Sequence, residues 1–290
     1  MMKNIVLSLY LKIRKSMSRG YGFGKYKPIR KILRLIESPL KSDFSEIQGS
    51  KMFLGEGDPM GISIEGVWGE LDTEVFKNSI KKGDIVVDVG ASIGYYTLIA
   101  AKIVGDTGKV FAFEPESKNF EILKKNVEIN KYNNVTLEQK AVSDVNGKIN
   151  LYLSKGIGFH STINPDTTTP IIPIESVKLD DYFRELNLID KIDFVKIDVE
   201  GAEFRVLNGM NTILEQSKNL KIFTEFMKYF LVQVGVEPKD MLNLLLNNGF
   251  ELSYVDDVKK CLVPTNVEKL MSLDESDLTV NIMCKRIKDV

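Results

Sequence analysis

The sequence has few of the residues that build disulfide scaffolds, metal clusters and membrane spans. Two cysteines occur in 290 residues, Cys261 and Cys284, and they are not closely spaced. This argues against a disulfide framework, a zinc cluster and an iron–sulfur site, and it predicts a reducing compartment, by default the cytoplasm. No stretch reaches the roughly 20 apolar residues that cross a bilayer. The short apolar run at residues 5–11 is followed by basic residues and not by a small-residue cleavage site, so no signal peptide is expected.

The composition is that of an ordinary globular protein. The chain is 43% hydrophobic and 27% charged, and a core of this size needs no disulfide or metal for stability. The length fits one large α/β domain with an extension, or two small domains. We predict a basic helical N-terminal extension at residues 1–50 and a single domain at residues 51–290.

The predicted extension concentrates positive charge. Residues 1–34 hold ten Lys or Arg and no Asp or Glu, although the whole chain has a net charge of -1. Apolar residues recur at every fourth position between residues 5 and 17, which indicates one helical stripe. Two interpretations stay open: a basic amphipathic arm that touches an anionic membrane or a polyanion, or two short helices that pack on the domain with a solvated basic face. The frequency of charged helix faces favours the second, and the first would place the protein at the membrane periphery.

From residue 70 onward, apolar runs alternate with helical patterns. Strands are predicted at 85–89, 110–113, 135–142, 192–197, 220–226, 250–255 and 278–285, and helices at 70–80, 95–104, 117–130, 202–214 and 238–248. This alternation predicts a mostly parallel sheet with helices on both faces. Ligands of such sheets bind at the carboxyl ends of the strands, so candidate residues are sought there.

A long turn-rich loop between residues 153 and 171 interrupts the alternation and contains His160, the single histidine. Loops longer than about 12–15 residues in a compact domain often serve as lids or binding loops. An unperturbed imidazole has a pKa near 6.5, which suits proton transfer at neutral pH, so His160 is a candidate general base. An exposed loop histidine without a catalytic role is the alternative, and it is slightly favoured.

The turn Asp88-Val89-Gly90-Ala91-Ser92-Ile93-Gly94 ends the first buried strand and opens a helix. Its glycine spacing lacks the second glycine of the dinucleotide fingerprint, and it has no Lys-Ser/Thr pair of a phosphate-binding loop. Glu114 follows the next strand, 24 residues after Gly90, where a carboxylate can accept both hydroxyls of a ribose. A helix N-cap is the alternative role for Glu114. Turn and acid together predict a nucleoside site.

Four segments of the sequence stand out together: residues 83–97, Phe113-Glu114-Pro115, Ala141-Val142-Ser143-Asp144, and residues 194–203 with the run Asp198-Val199-Glu200-Gly201. They resemble motifs of the FkbM family of S-adenosylmethionine-dependent methyltransferases. The resemblance covers about residues 70–255, and Ser92 stands where Asn is commoner in such proteins. It implies a class I, Rossmann-like methyltransferase fold with an antiparallel last strand.

The resemblance also implies roles at matching positions. Asp88 and the backbone of Gly90, Ala91, Ser92 and Gly94 would hold the amino-acid end of S-adenosylmethionine, Glu114 its ribose, and Ser143 and Asp144 its adenine. Asp198 would face the reacting methyl group. The acceptor that the family implies is a hydroxyl of a sugar, a glycan or a small metabolite.

A hydroxyl acceptor needs a base or a metal to become a good nucleophile. Asp198 and Glu225 each close a strand, and a right-handed connection makes these strands neighbours. The two carboxylates with waters could hold Mg²⁺, or they cap helices and pair with Lys196. Glu200 is a second candidate for contact with the substrate.

Two other functions stay open. A nucleic-acid methyltransferase would use the basic arm as an electrostatic footprint. Against it, residues 198–201 occupy the place of the Asn/Asp-Pro-Pro-Tyr/Phe run of base-amino methylases, and neither cysteine sits where a cytosine nucleophile would. A cofactor-binding accessory protein without activity is the third interpretation. The sequence does not indicate an oligomeric state.

Overall fold

The computed structural model describes residues 41–153, 161–162, 170–273 and 280–287. The chain divides between Trp68 and Gly69 into two compact units. The sequence places a division after residue 50, but residues 1–40, which include the ten basic residues, lie outside the described residues. The N-terminal extension and its contact with a membrane or polyanion therefore stay predictions.

The first unit contains a small antiparallel hairpin. Strands β1 (Phe44–Ile47) and β2 (Ser50–Phe53) are joined by Gln48 and Gly49, whose φ angles are 52° and 77°. Two successive residues with positive φ make the type I′ turn that suits the twist of a two-residue hairpin. A short helix, α1 (Ile62–Glu65), follows, and the buried carboxylate of Asp58 accepts the Ile62 and Ser63 backbone N–H groups.

The second unit is built on eleven described strands in two sheets. They are β3 (Ile85–Val89), β4 (Lys109–Phe113), β5 (Val135–Glu138), β6 (Ala141–Val142), β7 (Gly147–Tyr152), β8 (Ile171–Val177), β9 (Phe194–Ile197), β10 (Lys221–Phe226), β11 (Phe250–Asp256), β12 (Cys261–Thr265) and β13 (Val280–Arg286). The central sheet has the order β12-β11-β13-β10-β9-β3-β4-β5. Strands β10, β9, β3, β4 and β5 are parallel, whereas β13 lies antiparallel between β10 and β11. The predicted mostly parallel sheet with an antiparallel last strand is confirmed.

Helices connect the parallel strands and flank the sheet. The described ones are α2 (Glu70–Ser79), α3 (Tyr95–Val104), α4 (Ser117–Asn130), α5 (Leu179–Glu185), α6 (Glu203–Asn208), α7 (Asn211–Gln216), α8 (Lys228–Gln233), α9 (Pro238–Asn247) and α10 (Val267–Met271). Among the residues that the structure describes, no helix has the length and apolar character needed to cross a bilayer.

The core of the sheet explains the uninterrupted apolar runs in the sequence. Val87, Phe111, Val195 and Ile222 come from four neighbouring strands and are almost completely buried in one hydrophobic cluster. Strands covered on both faces have no solvent side, so their sequences do not alternate between polar and apolar residues. Two charged side chains that are nevertheless buried in these strands, Asp88 and Lys196, belong to the site described below.

The strand predicted at 135–142 is wrong as one element. It forms β5, which pairs with β4, and β6, which pairs with Ser176 and Val177 of β8 in a separate three-stranded sheet. The chain leaves the central sheet at Gln139 and Lys140, which belong to neither strand. The second sheet is completed by β7, which pairs antiparallel with β8.

The helix predicted at 202–214 is two helices, α6 and α7. Gly209 separates them, and a Cβ on this residue would lie 2.1 Å from the carbonyl oxygen of Ser143. The close approach of the two backbones explains the break. The carboxylate of Asp180 then accepts the N–H groups of Thr212 and Ile213, which begins α7 anew.

Candidate functional site

The turn after β3 is tied to its neighbours through the main chain. A Cβ on Gly90 would lie 1.8 Å from the carbonyl oxygen of Asp198, so only glycine lets the turn pass β9. The N–H groups of Gly90 and Ala91 both donate to the Phe113 carbonyl at 3.0 Å. Gly90 and Gly94 have φ angles of 79° and 97°, which glycine adopts without steric cost.

Ser92 gives the clearest sign that the turn is built for a ligand. Its φ of 50° is unusual for a residue with a side chain. Its Oγ is buried, and no group in the described part of the chain forms a hydrogen bond with it. A buried hydroxyl without a partner costs free energy, so this atom fits a small molecule that supplies the missing polar group.

Glu114 lies beside the same turn and is almost completely buried. Its Oε2 accepts the Ser92 N–H at 2.8 Å, and its Oε1 accepts the Glu116 N–H at 2.9 Å. Burial raises the pKa of Glu114 to about 7, although these two hydrogen bonds favour the ionised form. The alternative role as an N-cap is wrong, because Glu116 caps α4 by accepting the Asn119 N–H.

Three charged side chains form a row along β3 and β9. Asp88 and Lys196 are register partners on these parallel strands. Asp198 comes directly after β9, two residues beyond Lys196, and its N–H donates to the Val89 carbonyl, so the three side chains lie on the same side of the sheet. Lys196 Nζ lies 3.0 Å from Asp198 Oδ2 and 3.6 Å from Asp88 Oδ1. The other oxygen of Asp88 accepts the Thr97 hydroxyl at 2.6 Å. The ring of Tyr96 covers the ammonium, 4.8 Å from the ring centroid.

The two carboxylates at the ends of the row differ in their exposure to solvent. Asp88 is fully buried, whereas the Asp198 side chain is 33% exposed. Burial raises the pKa of Asp88, and the charge of Lys196 opposes that shift. Burial acts to lower the pKa of Lys196, but the charges of Asp198 and Asp88 outweigh it and raise this pKa. The lysine therefore stays protonated between two carboxylates.

More carboxyl groups surround Asp198. Burial, followed by repulsion from Asp198, raises the pKa of Glu200 to about 8 and that of Glu225 to about 10. Glu203 is buried, and its Oε1 accepts the Val199 and Gly201 N–H groups at 3.2 and 3.1 Å. Burial raises the pKa of Glu203 to about 7. This end of the site is thus rich in carboxyl groups around one cation.

The predicted Mg²⁺ site receives no support from this arrangement. Within residues 41–153, 161–162, 170–273 and 280–287, no group of three or more metal-ligating side chains could hold an ion. One Asp198 oxygen is already bound by the ammonium of Lys196. Metal binding by Asp198 and Glu225 stays a prediction.

The residues predicted near the adenine lie after β6. Ser143 Oγ donates to Asp144 Oδ1 at 3.0 Å, and the Ser143 N–H donates to the Val177 carbonyl at 3.0 Å. Gly209 packs against the Ser143 carbonyl, as described above. These contacts fix the segment, and its contact with the cofactor stays a prediction.

His160 lies outside the described residues, so its role as a base stays a prediction. Ser161, the next residue, is described and is anchored at two points. Its backbone pairs with Tyr152, and its hydroxyl donates to the Glu200 carbonyl at 2.7 Å. Ser161 therefore links the end of β7 to the segment that follows β9.

The sheet order places the remaining candidates side by side. Strands β4, β3, β9 and β10 are consecutive neighbours. Their carboxyl ends carry Glu114, the Gly90 turn, Asp198 and Glu225 in that spatial order. Sequence reasoning found these four positions and named Lys196 as a pairing candidate for Asp198, a contact that is confirmed. It missed the second contact of Lys196, with Asp88 of the neighbouring strand.

Comparison with known proteins agrees with this geometry. The model of the FkbM domain of methyltransferases matches residues 88–252, more than half of the chain. The hexuronic acid methyltransferase AglP of Haloferax volcanii is 30% identical over 192 residues, which cover 63% of this chain and 73% of that protein. Methyltransferase sdnD of Sordaria araneosa is 24% identical over 163 residues, which cover 46% of this chain and 62% of that protein.

Among solved structures, an S-adenosylmethionine-dependent O-methyltransferase of Thermotoga maritima is 16% identical with a TM-score of 0.41, over 77% of this chain and 67% of that chain. The family model and the identity with AglP decide the assignment. The chain belongs to the FkbM family of S-adenosylmethionine-dependent methyltransferases.

Proposed function

We propose that this enzyme transfers the methyl group of S-adenosylmethionine to a hydroxyl of a sugar or glycan. The observation that carries the proposal is the row of strand ends that sets Glu114, the Gly90 turn and Asp198 beside one another. Such a row at the carboxyl edge of a parallel sheet is where nucleoside ligands bind. The sugar acceptor is supported by AglP, which is named as a hexuronic acid methyltransferase.

The cofactor end consists of the turn and Glu114. The ionised carboxylate of Glu114 accepts the two ribose hydroxyls in addition to its two backbone N–H groups, which is within the capacity of two carboxylate oxygens. Ser92 donates its unpartnered hydroxyl to the ligand. Ser143 and Asp144 border the adenine.

The reacting end is formed by Asp198 and the carboxyl groups around it. Methyl transfer from a sulfonium is an in-line displacement, so holding the two reactants in line contributes much of the acceleration. Asp198 is partly exposed at the edge of the sheet and accepts the proton of the acceptor hydroxyl. Glu200 contacts the acceptor. His160 is the second candidate for the base.

The first test separates cofactor binding from acceptor choice. Isothermal titration calorimetry of the full chain with S-adenosylmethionine is expected to show one site, and absence of binding would contradict the proposal. Release of S-adenosylhomocysteine is then measured with methyl glucuronide, methyl glucoside, N-acetylglucosamine and a transfer RNA transcript. Turnover of the sugars supports the proposal, and turnover of the transcript alone would replace it with the nucleic-acid function.

The second test addresses Asp198. In Asp198→Asn, kcat is expected to fall about 100-fold or more, as for removal of a general base, while affinity for S-adenosylmethionine changes little. A variant with parental kcat would show that another group takes the proton, and His160→Ala assayed between pH 6 and 8 would then identify it.

A further inference from the structure

The site contains one buried cation among several carboxyl groups, and the proposed reaction does not itself use it. Lys196 lies within a central strand and is 4% exposed. Burying an ammonium group costs free energy unless carboxylates pair with it, so the interactions of Lys196 with its partners are what stabilise it at this position. Its partners are Asp88, at 3.6 Å from the ammonium, and Asp198, at 3.0 Å.

The two partners play different parts. Asp88 is fully buried and fixed by the Thr97 hydroxyl, so it offers a rigid negative charge inside the domain. Tyr96 covers the ammonium from the side and restricts its movement. Asp88 and Tyr96 therefore hold the ammonium group of Lys196 in place. Its shortest ionic contact, 3.0 Å, is with Asp198, the partly exposed carboxylate of the row.

Asp198 needs such a restraint. Its side chain is 33% exposed, so water competes for its oxygens. Without a fixed cation, the carboxylate of Asp198 would turn towards water. An ammonium that holds one oxygen leaves the other oxygen free to face a reactant.

We propose that Lys196 is the positioning residue of Asp198: anchored by Asp88 and Thr97, it holds one Asp198 oxygen so that the other faces the transferred methyl group and the acceptor. The inference rests on the proposed function, because it takes Asp198 as the residue beside the methyl. The relay Thr97–Asp88–Lys196–Asp198 assigns to Asp88 a structural task besides the predicted contact with the cofactor.

The test uses S-adenosylmethionine labelled with ¹³C in its methyl group, bound at saturation and observed by NMR without any acceptor. The methyl resonance reports the orientation of the nearest carboxylate. Asp198→Asn is expected to shift this resonance, Lys196→Met to shift it comparably, and Lys196→Arg, which keeps the charge, to stay close to the parent. The control is Lys259→Met, which replaces an exposed lysine paired with Asp256. Its methyl resonance should match that of the parent.

A double-mutant cycle distinguishes positioning from a direct effect of the lysine charge. If Lys196 acts through Asp198, Lys196→Met has no further effect on the resonance in the Asp198→Asn background. With a sugar that the enzyme methylates, Lys196→Met should lower kcat about 10-fold to 100-fold, as expected for loss of one charged hydrogen bond, with little change in the KM for the cofactor.

Two outcomes would overturn the inference. One is a parental methyl resonance in Lys196→Met with the cofactor bound, and the other is an additive cycle. If Lys196→Met does not fold because Asp88 is left unpaired, Asp88→Asn/Lys196→Met removes both charges and carries the same comparison. Failure of the parent to bind S-adenosylmethionine would instead contradict the proposed function, so the two failures are distinguishable.

Discussion

The two halves of the site are held by different forces. In the turn half, Gly90, Ala91, Ser92 and Glu114 are joined by hydrogen bonds that involve backbone N–H groups. In the acidic half, Lys196 forms ion pairs with two side chains, Asp88 of β3 and Asp198 just after β9. Backbone hydrogen bonds fix geometry whatever the neighbouring side chains are, whereas charged contacts change when one partner is replaced. We therefore expect side-chain replacements to leave the geometry of the turn half, proposed for the cofactor, largely unchanged. The same kind of replacement should alter the geometry of the acidic half, proposed for the acceptor.

Gly90 joins the two halves, and its replacement should have the largest effect. In Gly90→Ala the new methyl group meets the Asp198 carbonyl, so the turn or β9 must move. We expect a loss of about 3 kcal/mol or more of unfolding free energy, together with weakened S-adenosylmethionine binding. Urea unfolding and calorimetry measure the two effects.

Gly235→Ala is the matched control for that clash. Gly235 has a φ of 74°, but a Cβ there would have no neighbour within 4 Å. Only the backbone strain remains, so the loss should be about 1–2 kcal/mol. Equal losses in the two variants would mean that the halves of the site do not depend on each other through Gly90.

Glu114 tests whether the turn half binds the cofactor as proposed. Because the pKa of Glu114 is raised to about 7 and its ionised form accepts the ribose hydroxyls, affinity for S-adenosylmethionine should increase about 10-fold from pH 6 to pH 8. Glu114→Gln should bind more weakly at pH 8 and lose this pH dependence. Glu116→Gln, the neighbouring N-cap carboxyl, should keep the parental profile, and a parental profile in Glu114→Gln would remove Glu114 from the cofactor site.

The ionisation of buried carboxyl groups also makes stability depend on pH, with a sign opposite to that of cofactor affinity. Glu114 and Glu203 keep a proton in the folded chain up to about pH 7, whereas their ordinary value is 4.5. The contribution of these two groups to the unfolding free energy should therefore be largest near and below pH 4.5 and fall as the pH rises to 7, by at most about 1.4 kcal/mol per pH unit for each group.

Glu203→Gln isolates the acidic half in this measurement. Both N–H groups donate to the same Glu203 oxygen, so the amide oxygen of glutamine can accept them and only the titration is lost. The decrease in unfolding free energy between pH 5 and pH 7, measured by urea unfolding, should be smaller in Glu203→Gln than in the parent. An unchanged slope would mean that Glu203 does not contribute to the pH dependence of stability.

The sequence predicted the fold and the strand-end residues because parallel sheets place their ligands by a general rule. Gly90, Glu114, Asp198 and Glu225 follow apolar runs, and apolar runs are easy to recognise. The pairing of Asp88 with Lys196 could not be read in the same way, because it depends on which strands are neighbours across 108 residues. The contacts of Glu203 depend on positive φ angles at Glu200 and Gly201, which no local pattern announces.

Contacts between segments far apart in the chain also explain why the strand predicted at 135–142 and the helix predicted at 202–214 were wrong as single elements. The division of the predicted helix follows from the approach of Gly209 to Ser143, a contact between segments far apart in the chain. The division of the predicted strand follows from a second sheet that captures residues 141–142. Local propensity describes a segment, and these outcomes were decided by what packs against it.

The position of β13 has a consequence for the order of synthesis. This strand is made after every other described strand, yet it lies between β10 and β11 inside the central sheet. While residues 280–286 are still in the ribosome, β10 has an unpaired edge and the β11–β12 hairpin has no place in the sheet. The acidic half of the site borders that edge, so the nascent enzyme should gain its cofactor half first and its acceptor half only when the last strand arrives.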